Sequence, residues 1–428
     1  ERPEEAEEAR RLAALFALFD RRGSGLLGPE ELHFAAEYFG LRNGSSPAGL
    51  GNAVSAADFA RWARSAGGSR PLLARRRRAV AEAEGVDGQD DLAELASDRA
   101  VASTSHGSSL DHAACELGEL LSSPGAILLG PSELRAVSGL TSCQLRALGH
   151  IRKLARRNHE RALPEVEARA RGLGFKERHV WMALAWVREL APIVVHVNLD
   201  KALDFFEDDE YYRSQFETGT SGGLLNSRTR DAWERDLFGG AYDGCTPFER
   251  VKYGVLNVFN DPRGYVRLKN FGDSYLVLRN VRLRCTLSPE DSGQVAGGKH
   301  LEPRDAPAAE RLAVPDLYAH VLLEYSDEEL CEALRAANAR DVHCGDTGRI
   351  MRPRKYKEVQ IHGELRLCRH VSRLVANERH WPLQGRLERL CGRHGWTLGW
   401  MDTERSHIEG SQRPECRRPS TRWKSQPA

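Results

Sequence analysis

Residues 356–364 read "YKEVQIHGE". Val359 and Ile361 alternate with Glu358, Gln360 and His362, the two-residue period of a strand with one apolar and one polar face. An ordinary solvent-facing strand carries Lys, Thr or Arg on its polar side. The stretch "VRLRCTLS" (281–288) is expected to do so, with Val281, Leu283, Cys285 and Leu287 inward and Arg282, Arg284 and Thr286 outward. A carboxylate, an amide and an imidazole in one row are a different matter, because that set can bind and polarise a sugar or an amide. "IVVHVNL" (193–199) repeats the alternation, with His196 on the face of Val194 and Asn198, opposite Val195, Val197 and Leu199. "YGVLNVF" (253–259) and "SYLVL" (274–278) read as further strands, "YKEVQIH" as the last, and "FETGTSGG" (216–223) as a strand ending in a turn.

Helical spacing dominates elsewhere. "LTSCQLRALGHIRKLARRNHERA" opens at Thr141 or Ser142. "KERHVWMALAWVRELA" places Val180, Leu184, Val187 and Leu190 on one face and is ended by Pro192, with Trp181 and Trp186 as core residues. "LDKALDFFEDDEYY" is a short helix, "VPDLYAHVLLEY" another, and "SDEELCEALRAANAR" a third with Ser326 and Glu329 as a capping box. The fold class is therefore α+β: an N-terminal helical pair, then a mixed domain in which helices precede an antiparallel-rich sheet.

The N-terminal pair spans residues 1–67. Leu12, Leu15, Phe16 and Phe19 share a helix face, followed by "DRRGSGLLGPEE", Asp20–Glu31, and a second helix. The loop resembles an EF-hand calcium loop, with Asp20 at position 1, Ser24 at 5, Gly25 at 6, Leu26 at 7 and Glu31 at 12. The resemblance implies calcium held by Asp20, Ser24, the Leu26 carbonyl and Glu31, since a hard cation takes oxygen ligands and Gly permits the sharp turn. Arg22 at position 3 and Gly28 at position 9 depart from the pattern, and a cation at a ligand position opposes binding. The partner loop, "PAGLGNAVSAADFARWA", keeps Val54 at position 8 and Asp58 at 12. Its Pro47, Gly49 and Gly51 offer no side-chain ligands, so it reads as degenerate and structural.

The chain has 428 residues, a net charge of +1 and 41% hydrophobic residues. That length calls for more than one domain. The balanced charge argues against nucleic-acid binding through bulk electrostatics, and no apolar run has the length of a membrane span. Residues 68–130 read as a flexible or partly helical linker containing "ARRRRA", a solvated face or a nuclear-import or phosphate-binding patch. The mixed domain occupies 131–402, and 403–428 is a polar, disordered tail. Nine cysteines without a CxxC pair suggest reduced thiols in an intracellular, cytoplasmic or nuclear, protein. Cys368 with His370 and Cys391 with His394 lack the spacing of a standard zinc finger. The sequence begins at Glu1 rather than Met, which leaves room for a preceding targeting segment.

Two further resemblances follow from ordered motifs. "LTSCQLRAL", "YYRSQFETGTSGG", "WERDLFGGAYD", "KYGVLNVF", "GDSYLVLRNVRLRCT" and "YKEVQIHGE", across 141–375, resemble an uncharacterised domain-of-unknown-function family of bacterial and protist proteins. More weakly, the order of elements is similar to that of ADP-ribosyltransferases of the arginine–serine–glutamate class. That likeness implies NAD as the small molecule. His196 would hold the phosphates or ribose, and Phe216, Thr218, Thr220 and Ser221 would shape the nicotinamide pocket. Glu358 would stabilise charge developing on the ribose, with Tyr356 in the selector position and Gln360 and His362 beside it. His196 stands where Arg is usual, Gly219 where the first serine is usual, and the spacing from His196 is short.

Three functions stay open on sequence alone. The first is an NAD-using transferase or glycohydrolase joined to the EF-hand pair. The second is a non-catalytic calcium-binding or interaction protein whose helical pair grips a target helix. The third is a metal-dependent hydrolase using Glu358, His362 and Glu364.

Overall fold

The computed structural model describes residues 3–21, 24–39, 53–65, 131–220, 226–265, 270–297, 307–338 and 356–401, and single positions at 72, 115, 117–118 and 120–121. Arg22, Pro47, Gly49, Gly51 and Ser221, the "ARRRRA" run and the expected tail lie outside these residues.

The N-terminal unit is α1 (Pro3–Phe19), β1 (Leu26–Leu27), α2 (Pro29–Tyr38), β2 (Val54–Ser55) and α3 (Ala56–Ser65). The two short strands pair antiparallel, Leu26 with Ser55 and Leu27 with Val54. Around this bridge Leu12, Leu15, Phe16, Phe19, Phe34 and Phe59 form a buried cluster. It also takes in Trp181, Met182 and Ala185, so the helical pair packs onto the rest of the protein.

The larger unit begins with α4 (Pro131–Ser138), α5 (Ser142–Gly172) and α6 (Glu177–Glu189). Then come β3 (Ile193–Val197), α7 (Leu199–Asp208), α8 (Gln215–Thr218), α9 (Ser227–Phe238) and β4 (Lys252–Leu256). β5 (Ser274–Leu278), β6 (Cys285–Ser288), α10 (Ser292–Gly297), α11 (Ala319–Leu323) and α12 (Asp327–Asn338) follow. The described chain closes with β7 (Glu358–Ile361), α13 (Leu367–His370), β8 (Val371–Ala376), α14 (Gln384–His394) and β9 (Thr397–Trp400). The seven strands β3–β9 form one sheet in the order β6-β7-β4-β3-β5-β8-β9, antiparallel except where β9 joins β8. The fold is α+β.

Alternation sets the faces. Val195, Val197, Cys285, Leu287, Val359 and Ile361 enter the main core with α6, α11, α12 and α14. Val194, Val255, Tyr275 and Val277 point to the opposite face. The 31-residue α5 serves both faces: Ala162, Val166 and Ala170 join the main core, while Cys143, Ala147 and Ile151 pack with Leu237 and Phe238 of α9.

Three expectations change. Arg282, Arg284 and Thr286 are buried rather than outward: 282–284 is a 3₁₀ turn to which period-two alternation does not apply, and Thr286 lies on β6, whose four residues are all buried. Arg282 donates to the carbonyls of Val187 (3.2 Å) and Ala191 (2.6 Å), closing the C-terminal end of α6. "FETGTSGG" is not a strand: Gln215–Thr218 is a helical turn. Its capping box is Ser214 with Glu217, whose carboxylate accepts the Ser214 N–H at 2.9 Å, and Gly219 ends it with φ 63°. β7 is not the last strand, since β8 and β9 follow it.

Candidate functional site

The central sheet is split. β3 pairs with β5 at four positions and β4 pairs with β7 at four, yet β3 and β4 meet only at Ile193–Leu256 and Val194–Val255. Beyond that point the strands part. Val195–Asn198 and Lys252–Val255 line the two sides of a cleft of about 640 Å³, within the usual span of ligand sites.

Segments distant in sequence meet there. His196 comes from β3, Thr218, Gly219 and Thr220 from the end of α8, Asp291 and Ser292 from the start of α10, Tyr356 from the residues leading into β7, and Glu358 from β7. Aromatic walls come from Tyr211, Tyr212, Trp233, Tyr253 and Phe271, and cations from Lys201, Arg213, Arg230 and Lys252. Of the expected site residues, His196, Thr218, Thr220, Tyr356 and Glu358 line this one cleft. Phe216 does not; it stacks under the Arg250 guanidinium at 4.8 Å. Thr218 Oγ1 donates to the Ser214 carbonyl and accepts from the Thr220 N–H and hydroxyl at 3.2 and 3.0 Å, fixing the two threonines together.

Glu358 is the most perturbed acid of the cleft. Burial, then the nearby Asp291 charge, push its carboxyl up to about 7, against donors from Ser292, Gln360 and Tyr356. Tyr356 Oη donates to the Asp291 carboxylate and lies 3.1 Å from Glu358 Oε2, so one phenol ties the two acids.

Gln360 and His362 lie behind Glu358, fully buried and outside the cleft lining. They belong to a chain of hydrogen bonds whose direction is fixed by its members. Ser288 Oγ donates to the Glu290 carbonyl (2.7 Å), so it accepts from Gln360 Nε2 (3.0 Å), which also donates to Glu358 Oε1 (3.0 Å). The Gln360 carbonyl oxygen then accepts from Thr286 Oγ1 at 3.0 Å. Thr286, its proton spent, accepts from His362 Nε2 at 3.1 Å, which leaves Nδ1 of the neutral ring to accept from Tyr242 Oη at 2.6 Å. Every donor from Tyr242 onward points toward Glu358. Burial and the charges of Arg284 and Lys252 hold the His362 ring down at about 3, hence neutral.

His196 is a positioning residue. Its Nε2 accepts the Tyr265 N–H at 2.9 Å, so its Nδ1–H donates to the Gly272 carbonyl at 3.2 Å. Both ring nitrogens are engaged, and burial holds the ring down at about 4. The ring thus fastens Tyr265 and Gly272 to β3. Gly272 has φ 140°, and a Cβ there would lie 1.9 Å from the Val197 carbonyl carbon, so only glycine fits.

Lys252 was not anticipated. Its Nζ donates to the Phe248 carbonyl at 2.5 Å, and burial pulls it down to about 8. Asp291, Arg213 and Tyr253 were also missed; Asp291 sits in a turn without a motif, and Arg213 and Tyr253 lie inside quoted family stretches that do not single them out.

The expected metal ligands of the first N-terminal loop are held by local hydrogen bonds. Asp20 accepts from the N–H groups of Ser24 (2.9 Å) and Gly25 (2.7 Å), Ser24 Oγ donates to the Leu26 carbonyl, and Glu31 accepts the Gly28 N–H at 2.8 Å. An oxygen set with two carboxylates fits a hard cation in kind.

Among the described residues no helix is long and apolar enough to cross a membrane. No curated protein matches the chain. A family model described as a protein of unknown function, DUF3626, matches residues 198–418. The match begins later and ends later than the 141–375 span of the expected resemblance. It takes in α8, β4, the Asp291 turn and the Glu358 strand, and begins two residues after His196. By this match over more than half its length, the chain belongs to the DUF3626 family.

Proposed function

We propose that the larger unit is an NAD-using, ADP-ribosyltransferase- or NAD-glycohydrolase-like domain that cleaves the bond between nicotinamide and ribose. One observation carries this reading: Thr218 and Thr220 at the end of α8 and Glu358 on β7 follow the order that the resemblance implies and line one cleft, while His196, its ring nitrogens both taken by backbone, serves only as part of the cleft wall. Glu358 in its ionised form stabilises positive charge growing on the ribose as nicotinamide leaves. The donors aligned through Gln360 favour that anion and hold its orientation. Lys201 and Arg230 supply cations for a pyrophosphate, Arg213 being paired with Asp209 and Glu217, and the aromatic walls supply stacking surface for the bases.

The N-terminal unit is, in the same proposal, an EF-hand-type pair whose two loops are joined by the Leu27–Val54 bridge. Asp20, Ser24, Leu26 and Glu31 would hold calcium. The test is nicotinamide release from NAD by the purified chain, with Glu358→Gln as control, in calcium and in chelator. Release that vanishes in the variant supports the reading, and calcium dependence joins the two units. A folded chain that neither binds NAD nor releases nicotinamide overturns it in favour of a calcium-binding or interaction protein.

A further inference from the structure

A second constellation lies behind the cleft. Cys143 Sγ, Cys245 Sγ and a Glu249 carboxylate oxygen all lie within 4.8 Å of one another. Three different local structures bring them there. Cys143 occupies the first turn of α5, directly after the Thr141 cap and Ser142. Cys245 is presented by the turn after α9, where its N–H bonds the Tyr242 carbonyl at 3.1 Å. Glu249 closes a capping box: one of its oxygens accepts from the Thr246 N–H and hydroxyl, both at 2.9 Å, while the other faces Cys143 Sγ at 3.7 Å. The box fixes the carboxylate, and the helix fixes the first sulfur.

We infer that Cys143, Cys245 and Glu249 form a site for one soft divalent cation, zinc being the ion their chemistry fits best. Zinc–thiolate bonds of ~2.3 Å place two sulfurs roughly 3.8 Å apart in a tetrahedron, inside the spread of this cluster. Two thiolates select a soft ion over calcium or magnesium. Binding releases the two thiol protons to solvent as the two metal–sulfur bonds form, so affinity rises with pH. The site's excess negative charge sits at the N-terminal end of α5, where the helix dipole favours it. Solvent oxygen fills the fourth position beside the half-buried Cys245. The bound ion would pin the start of α5 to the 239–249 segment. That segment carries Tyr242, the first donor of the chain that ends on Glu358.

The inference is independent of the cleft chemistry, and so is its test. The reduced full chain is treated with N-ethylmaleimide with and without added zinc, and the labelled peptides are mapped. Protection of Cys143 and Cys245 together, reversed by a chelator, is expected. Cobalt substitution should give a thiolate-to-metal absorption band that Cys143→Ser and Cys245→Ser each abolish, while Glu249→Gln keeps the band and weakens binding at least about tenfold. Zinc that protects neither thiol overturns the assignment. So does protection confined to Cys368 or Cys391, or a Cys143–Cys245 disulfide in a chain that binds no zinc when reduced.

Discussion

Replacing Glu358 with Gln should make the protein more stable and less active. The Glu358 carboxyl, ordinarily near 4.5, is pushed up to about 7 by burial and by Asp291. Below pH 4.5 the group is protonated in folded and unfolded chains alike, and its contribution to stability is whole. As pH rises the unfolded chain sheds the proton first, and stability is lost until the folded group ionises near pH 7. At about 1.4 kcal/mol per pH unit, the loss is about 3 kcal/mol. Gln cannot ionise and keeps the geometry. Its oxygen still accepts from Ser292 and Gln360, and its amide replaces the oxygen beside Tyr356, which still donates to Asp291. Thermal unfolding from pH 4.5 to pH 8.5 should therefore show the two proteins equal at the acid end. The variant should be higher by about 6–12 °C at the alkaline end, taking about 2–4 °C per kcal/mol for a domain of this size. A variant no more stable than wild type at pH 8, or a gap that does not widen with pH, would refute the electrostatic account of the site.

Other consequences follow from the same contacts. Gln360→Leu removes the donor that favours the Glu358 anion, so nicotinamide release should shift its rising limb about one unit alkaline; an unshifted pH profile would show that Gln360 only fills space. Gly272→Ala should cost more than about 3 kcal/mol in urea unfolding, because the new methyl meets the Val197 backbone at a φ that favours glycine; a neutral substitution would contradict the close approach of Gly272 to Val197. Burial holds both His159 and His196 down to about 4 from 6.5. The stability each contributes is whole above pH 6.5 and lost as pH falls through about 4, about 3 kcal/mol apiece. The urea midpoint should drop steeply between pH 6.5 and 4, and His159→Gln should flatten that drop; an acid-insensitive midpoint would argue against buried neutral imidazoles.

The Glu358 strand was legible because alternation is a local property: two apolar side chains had to enter the core, and the polar three had to share the other face. The same logic misjudged Arg282 and Arg284, since a 3₁₀ turn rotates its side chains differently and the carbonyls left open at the end of α6 attract a guanidinium. "FETGTSGG" hid a capping box whose first member, Ser214, lies just outside the quoted stretch, and a cap of that kind decides a turn of helix over a strand. The cleft itself was not legible. It arises because β3 and β4 pair only twice before parting, and strand divergence leaves no mark in either sequence. Asp291 gains its meaning from that divergence, and so does Lys252, although it opens the quoted stretch "KYGVLNVF". The Cys143–Cys245–Glu249 cluster was equally hidden, because its members are joined by a turn and a helix start rather than by ligand spacing.

The most direct test of the central claim is the steady-state kinetics of nicotinamide release from NAD by wild-type protein and Glu358→Gln at pH 8. The account predicts turnover in the wild type and a kcat at least about a hundredfold lower in the variant with KM nearly unchanged, the signature of a lost transition-state interaction. Equal kcat in a variant that folds and binds NAD would contradict it.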